Sequence, residues 1–191
     1  MIWRPALALL LTFTLCPPSQ GKAPREAIHL RDSSRLATLE AQDQRDRQAT
    51  DIDWDTVAMR DQIRRGEVLR LLKQGRLRTA QDHYRAALIF QHGESLDDTM
   101  QAFALARMAM SLDPRHPSAA WLAAAAWDRS LLLRQKTQWY GTQYELDEKE
   151  GTLTLSPVED AAVSDDERKT MGLPSLSEAR ARHRRAPVKS H

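Results

Sequence analysis

The chain has 191 residues, with 28 Lys and Arg against 26 Asp and Glu and a formal charge of +2; that length suits one domain and leaves no room for two ordinary ones. Near-neutral charge excludes a dedicated nucleic-acid binder, because phosphate contacts need a basic excess concentrated on one face. Charged residues make up 28% of the chain and aromatic residues 6%, so the core must come mostly from Leu, Ala, Val and Met.

The opening MIWRPALALLLTFTLCPPSQGK sets Arg4 before an apolar run from Ala6 to Leu15, then breaks at Pro17, Pro18, Ser19 and Gly21. This is the layout of a secretory signal peptide over residues 1–21. The run is about half the roughly 20 residues that a membrane-crossing helix needs. The expectation is export, periplasmic or secreted, with no transmembrane anchor after processing. Cys16 is the one cysteine, and Leu15 before it is larger than the small residue that lipid-modifying signals prefer, which argues against a lipoprotein. Cleavage would leave a mature chain without disulfides, thiolate nucleophiles or thiolate metal sites.

From Arg25 to Arg47, Leu36 and Leu39 stand at helical spacing, and the same stripe continues into Asp43, Asp46 and Arg47, so charge falls on the face that began apolar. DIDWD, residues 51–55, breaks that pattern. A second helix, from about Val57 to Gln74, is expected to carry Met59, Ile63, Leu69 and Leu72 inward and to end at Gly75. A third runs from about Thr79 to His92, with Tyr84, Ala87, Leu88 and Gln91 on one face, and stops at Gly93. Ser95 with Asp98 resembles a capping box opening a fourth helix, about Asp97 to Leu112, which Asp113-Pro114 ends.

The fifth helix, from Pro117 to about Arg134, is apolar nearly all round through Trp121, Leu122, four alanines and Trp127, the pattern of a central bundle helix. After it TQYELD and TLTL alternate around EKEG, which predicts a β-hairpin at about 142–155 with Tyr144, Leu146, Leu153 and Leu155 on one face. Ser164 with Glu167 and Ser175 with Glu178, around Gly172-Leu173-Pro174, predict two short terminal helices. Ala102, Ala106, Ala109 and Pro114 follow the spacing of a tetratricopeptide second helix, but no second copy appears, so this reads as helical-hairpin packing. The expected architecture is mainly α: about five helices with tetratricopeptide-like hairpin packing, the small hairpin and short terminal helices. Residues 22–176 form one domain and 177–191 a basic, frayed tail.

The strings DWDTVAMRDQIRR, GRLRTAQDHYRAALIFQHG, AAAAWDRSLLLRQ and QWYGTQY stand in that order. They resemble a bacterial family known as domain of unknown function 6624, over about Leu39 to Leu176. Lys136 stands where that family usually has Gly. The resemblance implies an α-rich fold and brings no activity, substrate or cofactor.

Three groups of residues are candidates for chemistry. Gln91 and His92 occupy a helix C-terminus, where the macrodipole favours a protonated imidazole; either His92 serves as an acid near neutral pH, or both side chains only hydrogen-bond the helix end and a neighbouring loop. Asp128 and Arg129 interrupt a core helix, so each must find a partner, on Asp43, Asp46 or Arg47 or in the QWYGTQY loop. That loop offers Gln138, Tyr140, Thr142 and Gln143 around Gly141, which permits a tight turn. The functional reading of Arg129 is an anion or carboxylate site; the structural one is a locked polar network.

Other signals fail on spacing. Asp51, Asp53 and Asp55 open like an EF-hand loop, but Thr56 replaces its Gly and Gln62 its Glu. No HExxH occurs, His83 and His92 face opposite ways on one helix, and there is no phosphate-cradling Gly loop. No metal and no cofactor are expected. Arg180, Arg182, His183, Arg184, Arg185 and Lys189 lack interleaved aromatics and read as a solvated tail, or as weak contact with an anionic surface.

The leading expectation is a non-catalytic, exported helical module that binds a protein partner or small ligand between the fifth helix and QWYGTQY. The alternative is a small hydrolase-like enzyme with His92 as acid or base and Arg129 stabilising an anion. Convergence of His92, Arg129 and Tyr140 in one open pocket would favour the enzyme.

Overall fold

Capping chemistry fixes where most helices begin. The structure, a computed structural model, describes residues 30–147, 151–182 and 184–185; the expected signal peptide lies outside them. In chain order the described elements are α1 (Ser34–Gln48), α2 (Trp54–Lys73), α3 (Ala80–Gln91), α4 (Leu96–Leu112), α5 (Ala119–Leu132), β1 (Tyr144–Asp147), β2 (Thr152–Leu155), α6 (Asp165–Thr170), α7 (Leu176–Ala181) and β3 (Arg184–Arg185). The Ser33 side chain accepts from the Leu36 amide and starts α1 there, later than the expected Arg25. Asp53 accepts from the Asp55 and Thr56 amides at 3.2 Å each, so the acidic DIDWD segment is a helix cap. Thr79 with Asp82, Ser95 with Asp98 and Ser175 with Glu178 form reciprocal capping boxes. Gly75, at φ +64, ends α2 with its amide on the Leu72 carbonyl and the Arg76 amide on that of Leu71.

The mainly helical fold is as the periodicities indicated, with a different hub. α3 touches α1, α2, α4 and α5, and its Ala86, Ala87, Ile89 and Phe90 meet Leu36, Leu39, Val68, Leu71, Ala102 and Leu122 in one core cluster. α5 packs chiefly on α4. Its four alanines are buried because the chain returns over its other side as the QWYGTQY loop, whereas Trp121 at its start is exposed. Ala102, Ala106 and Ala109 are fully buried, small enough for α4 to lie close between α3 and α5.

α2 presents a different face from the expected one. Met59 and Ile63 are 61% and 67% exposed, and Leu69 is exposed as well. The buried stripe is instead Val57, Asp61, Arg64, Val68 and Leu71, while Leu72 does pack against the core. The charges of α1 bear on this. Asp43 is fully buried, and a buried carboxylate without cations costs several kcal/mol, the same order as the gain from burying Met59 and Ile63, while the face that supplies Arg64 also buries Val57, Val68 and Leu71.

β1 and β2 pair antiparallel in the register Tyr144 to Leu155 and Leu146 to Leu153, which sets those four side chains on one face. The expected boundary at 176 falls at the first residue of α7. Part of the basic segment beyond it is ordered structure: α7 continues to Ala181, and Arg184–Arg185 adds to β2 in the order β1-β2-β3. The turn after α5 places Gln135, not Lys136, at positive φ, +59. No described helix is long and apolar enough to cross a membrane.

Candidate functional site

Asp128 organises the loop after α5. Its Oδ1 accepts from the Trp139 and Tyr140 amides at 2.8 and 2.9 Å, and its Oδ2 from the Thr142 amide and hydroxyl at 3.0 and 2.8 Å. Burial pushes this carboxyl above the ordinary aspartate value, while these donors pull it down. From the other side the buried Arg168 donates to the carbonyls of Trp139, Tyr140 and Val163 at 2.8, 3.3 and 3.0 Å. A carboxylate thus takes the loop's amides and a guanidinium takes its carbonyls.

The loop's amide side chains are equally committed. Gln138 is fully buried; its Nε2 donates to the Gln143 and Ser156 carbonyls at 2.9 and 2.8 Å, and its Oε1 accepts from the Gln143 amide at 2.9 Å. Gln143 Nε2 donates to the Ala125 carbonyl at 3.3 Å and to Thr142 Oγ1 at 3.0 Å. Gly141 turns the chain at φ +75, where a side chain would be strained. Tyr140 packs against the core cluster and sends its hydroxyl to Glu167 at 3.4 Å; burial, then the Glu167 charge, raises its phenol. With Phe103, Trp127, Trp139 and Met171 it lines a recess of about 180 Å³. Asp128, Gln138, Thr142 and Gln143, expected as ligand contacts, make these internal bonds.

A second buried polar cluster joins α1, α2 and the end of α3. Asp43 Oδ1 meets Arg47 Nη1 at 2.9 Å and His92 Nδ1 at 3.0 Å. Arg47 also bridges to Asp61 across both guanidinium nitrogens, and Arg64 joins Asp61 to Asp46. Burial alone would raise Asp61, but hydrogen bonds from Arg47 and Arg64 outweigh it and hold its carboxyl below the usual range; Asp46 behaves alike through Arg64 and Arg60. A carboxylate oxygen accepts, so His92 is the donor of this contact through Nδ1. No described residue bonds Nε2.

Arg129 reaches the same junction from α5. Its Nη1 donates to the Gln91 carbonyl at 3.1 Å and its Nη2 to the Gly93 carbonyl at 2.9 Å, which satisfies the C-terminus of α3. No carboxylate lies within ion-pair distance of it among the described residues; burial lowers its guanidinium, and the charges of Glu94 and Asp98 offset this only in part, with Arg47 opposing them. Gly93 is required here, since a Cβ would collide with the Asp98 side chain. Gln91 is buried and its Oε1 has no described partner.

His92 and Arg129 line one cleft of about 780 Å³ with Arg47, Trp54, Arg65 and Glu94. Tyr140 is not among its walls. The cleft therefore brings together two of the three residues on which the enzyme alternative depends, and the QWYGTQY residues form a separate closed network. Trp54, Asp61, Arg64, Arg65 and Arg168 carry no sequence signal beyond charge or aromaticity on helices. Only the i, i+3 spacing of Asp61 and Arg64 hinted at a pair. Among the described residues no group of three or more His, Cys, Asp or Glu could hold a metal ion.

No family model matches the chain, and neither a curated protein nor a solved structure matches it.

Proposed function

We propose that this chain is an exported, non-catalytic binding module whose ligand occupies the cleft between α2, the end of α3 and α5. The observation that carries this reading is the contrast in spare hydrogen-bonding capacity. The polar groups of the QWYGTQY loop are spent on one another, whereas His92 and Arg129 keep ring or guanidinium nitrogens beside an open cleft. The site thus moves away from the groove that the sequence suggested. Kinship with domain of unknown function 6624 belongs to the same proposal, on the ALIFQHG, WDR and QWYGTQY strings, as does export, on the pattern around Arg4 and Pro17. Untargeted mass spectrometry of small molecules released from the protein purified out of its own cells tests the reading. Recovery of a compound by the natural chain and by Tyr140→Phe, but not by Trp54→Ala, supports it; loss with Tyr140→Phe alone overturns it.

One observation favours the hydrolase alternative: the Asp43–His92 hydrogen bond orients the ring through Nδ1 and leaves Nε2 without a described partner beside the cleft. An activity abolished by His92→Gln, with ligand binding and unfolding midpoint unchanged, would replace the binding module by an enzyme.

A further inference from the structure

The cleft's charges are not all paired by contact. Arg47 is spent on Asp43 and Asp61, and Asp61 is in turn shared with Arg64, so that group is internally neutralised. Arg65 sets Nε 3.2 Å from Asp98 Oδ1, and its terminal nitrogens make no described hydrogen bond. Arg129 holds only the two backbone carbonyls of α3's end. A partly buried guanidinium facing carbonyl dipoles, with no carboxylate in ion-pair contact and its desolvation only partly offset by the charges of Glu94 and Asp98, is stabilised further by an anion that reaches it. His92 is held to Asp43 through Nδ1 and is not counted as an anchor.

The other wall of the cleft is apolar. Trp54, at the first turn of α2, is 56% exposed although Asp53 pins the turn beneath it, and Val57, Ala58 and Met59 extend the same surface. About 780 Å³ is far more than an inorganic ion fills and lies in the range of clefts that hold small organic ligands. Glu94 on the rim has no described ion-pair partner, and together with a chain charge of only +2 it disfavours polyanions. Resting on the binding reading above, we propose that the ligand is a small organic anion. One carboxylate or phosphate group sits on Arg65 and Arg129, and its aromatic or apolar body lies against Trp54 and Met59.

Titration calorimetry of the purified protein at low salt tests this with phenyl phosphate, phenylacetate, benzyl alcohol, phenethylamine and inorganic phosphate. Either or both aromatic anions should bind at one site at least about tenfold more tightly than the alcohol or the amine, the scale of one charge-assisted hydrogen bond. Which of the two is tighter tells carboxylate from phosphate. Arg65→Gln should weaken the tighter anion about tenfold. Trp54→Ala should weaken it about fivefold while leaving inorganic phosphate unchanged. Unfolding midpoints of both variants, matched to that of the natural chain, separate loss of the site from loss of fold. Tighter binding of the alcohol or the amine overturns the anion class while leaving the binding module standing. No saturable binding of either aromatic anion, or anion affinity untouched by both variants, also overturns the anion proposal; the binding module is judged separately by ligand recovery.

Discussion

α5 meets two buried polar clusters through the adjacent residues Asp128 and Arg129, and they differ in what they leave over. The Asp128–Arg168 network closes on the loop, on its backbone and the Thr142 hydroxyl: every Asp128 oxygen has two donors, and Arg168 reaches three carbonyls. The Asp43–Arg47–Asp61–Arg64 network closes on side chains from two helices, and its edge, at His92 and Arg129, opens on a cleft. Buried polar residues therefore do not by themselves mark a site. What distinguishes a candidate site is hydrogen-bonding capacity left unspent beside accessible space.

The largest test breaks the closed network. Asp128→Ala removes the acceptor of four donors and leaves three loop amides orphaned, so it should destabilise by about 3 kcal/mol, the scale of a broken buried charge network. Chemical denaturation measures this, and an unchanged midpoint would refute the clamp.

The open network should show itself in acid. Asp61 and Asp46 have folded-state values held below those of the unfolded chain. Their stabilisation is full above the ordinary aspartate value, about 3.9, and disappears as pH falls through the lower folded values. Stability measured between about pH 5 and pH 2 should fall, and Asp61→Asn should flatten that limb. A limb equally steep in the variant would show that Asp61 is not a source of it.

Smaller effects sharpen the contrast. His92→Gln retains a donor for Asp43 and loses only the ring, so it should cost about 1 kcal/mol or less and preserve ligand binding; loss of the fold in far-ultraviolet circular dichroism would contradict this. Ile63→Ser, on the exposed face of α2, should shift stability by no more than about 0.5 kcal/mol. A loss of several kcal/mol on thermal or chemical unfolding would restore the inward orientation that its hydrophobicity suggests.

Local chemistry was legible in the residues themselves. Ser95 with Asp98, Ser175 with Glu178, Gly75 and Asp113-Pro114 mark helix ends through contacts only a few residues apart, and β1 and β2 follow from strict alternation. The need of Asp128 for a partner was legible too, because a charge in an alanine-rich helix has no local remedy. The QWYGTQY loop stood among its candidate partners; that the loop and not the first helix takes it, and which face α2 turns inward, lay beyond sequence. Those outcomes depend on groups far apart in the chain: Arg168 reaching back to Trp139, Asp43 waiting for Arg64 and His92. Hydrophobic periodicity weighs each helix by itself and so placed Met59 and Ile63 inside. Desolvated charges are balanced across helices, and only the assembled fold decides which of them are paired within it and which, like Arg129, are left facing a cleft.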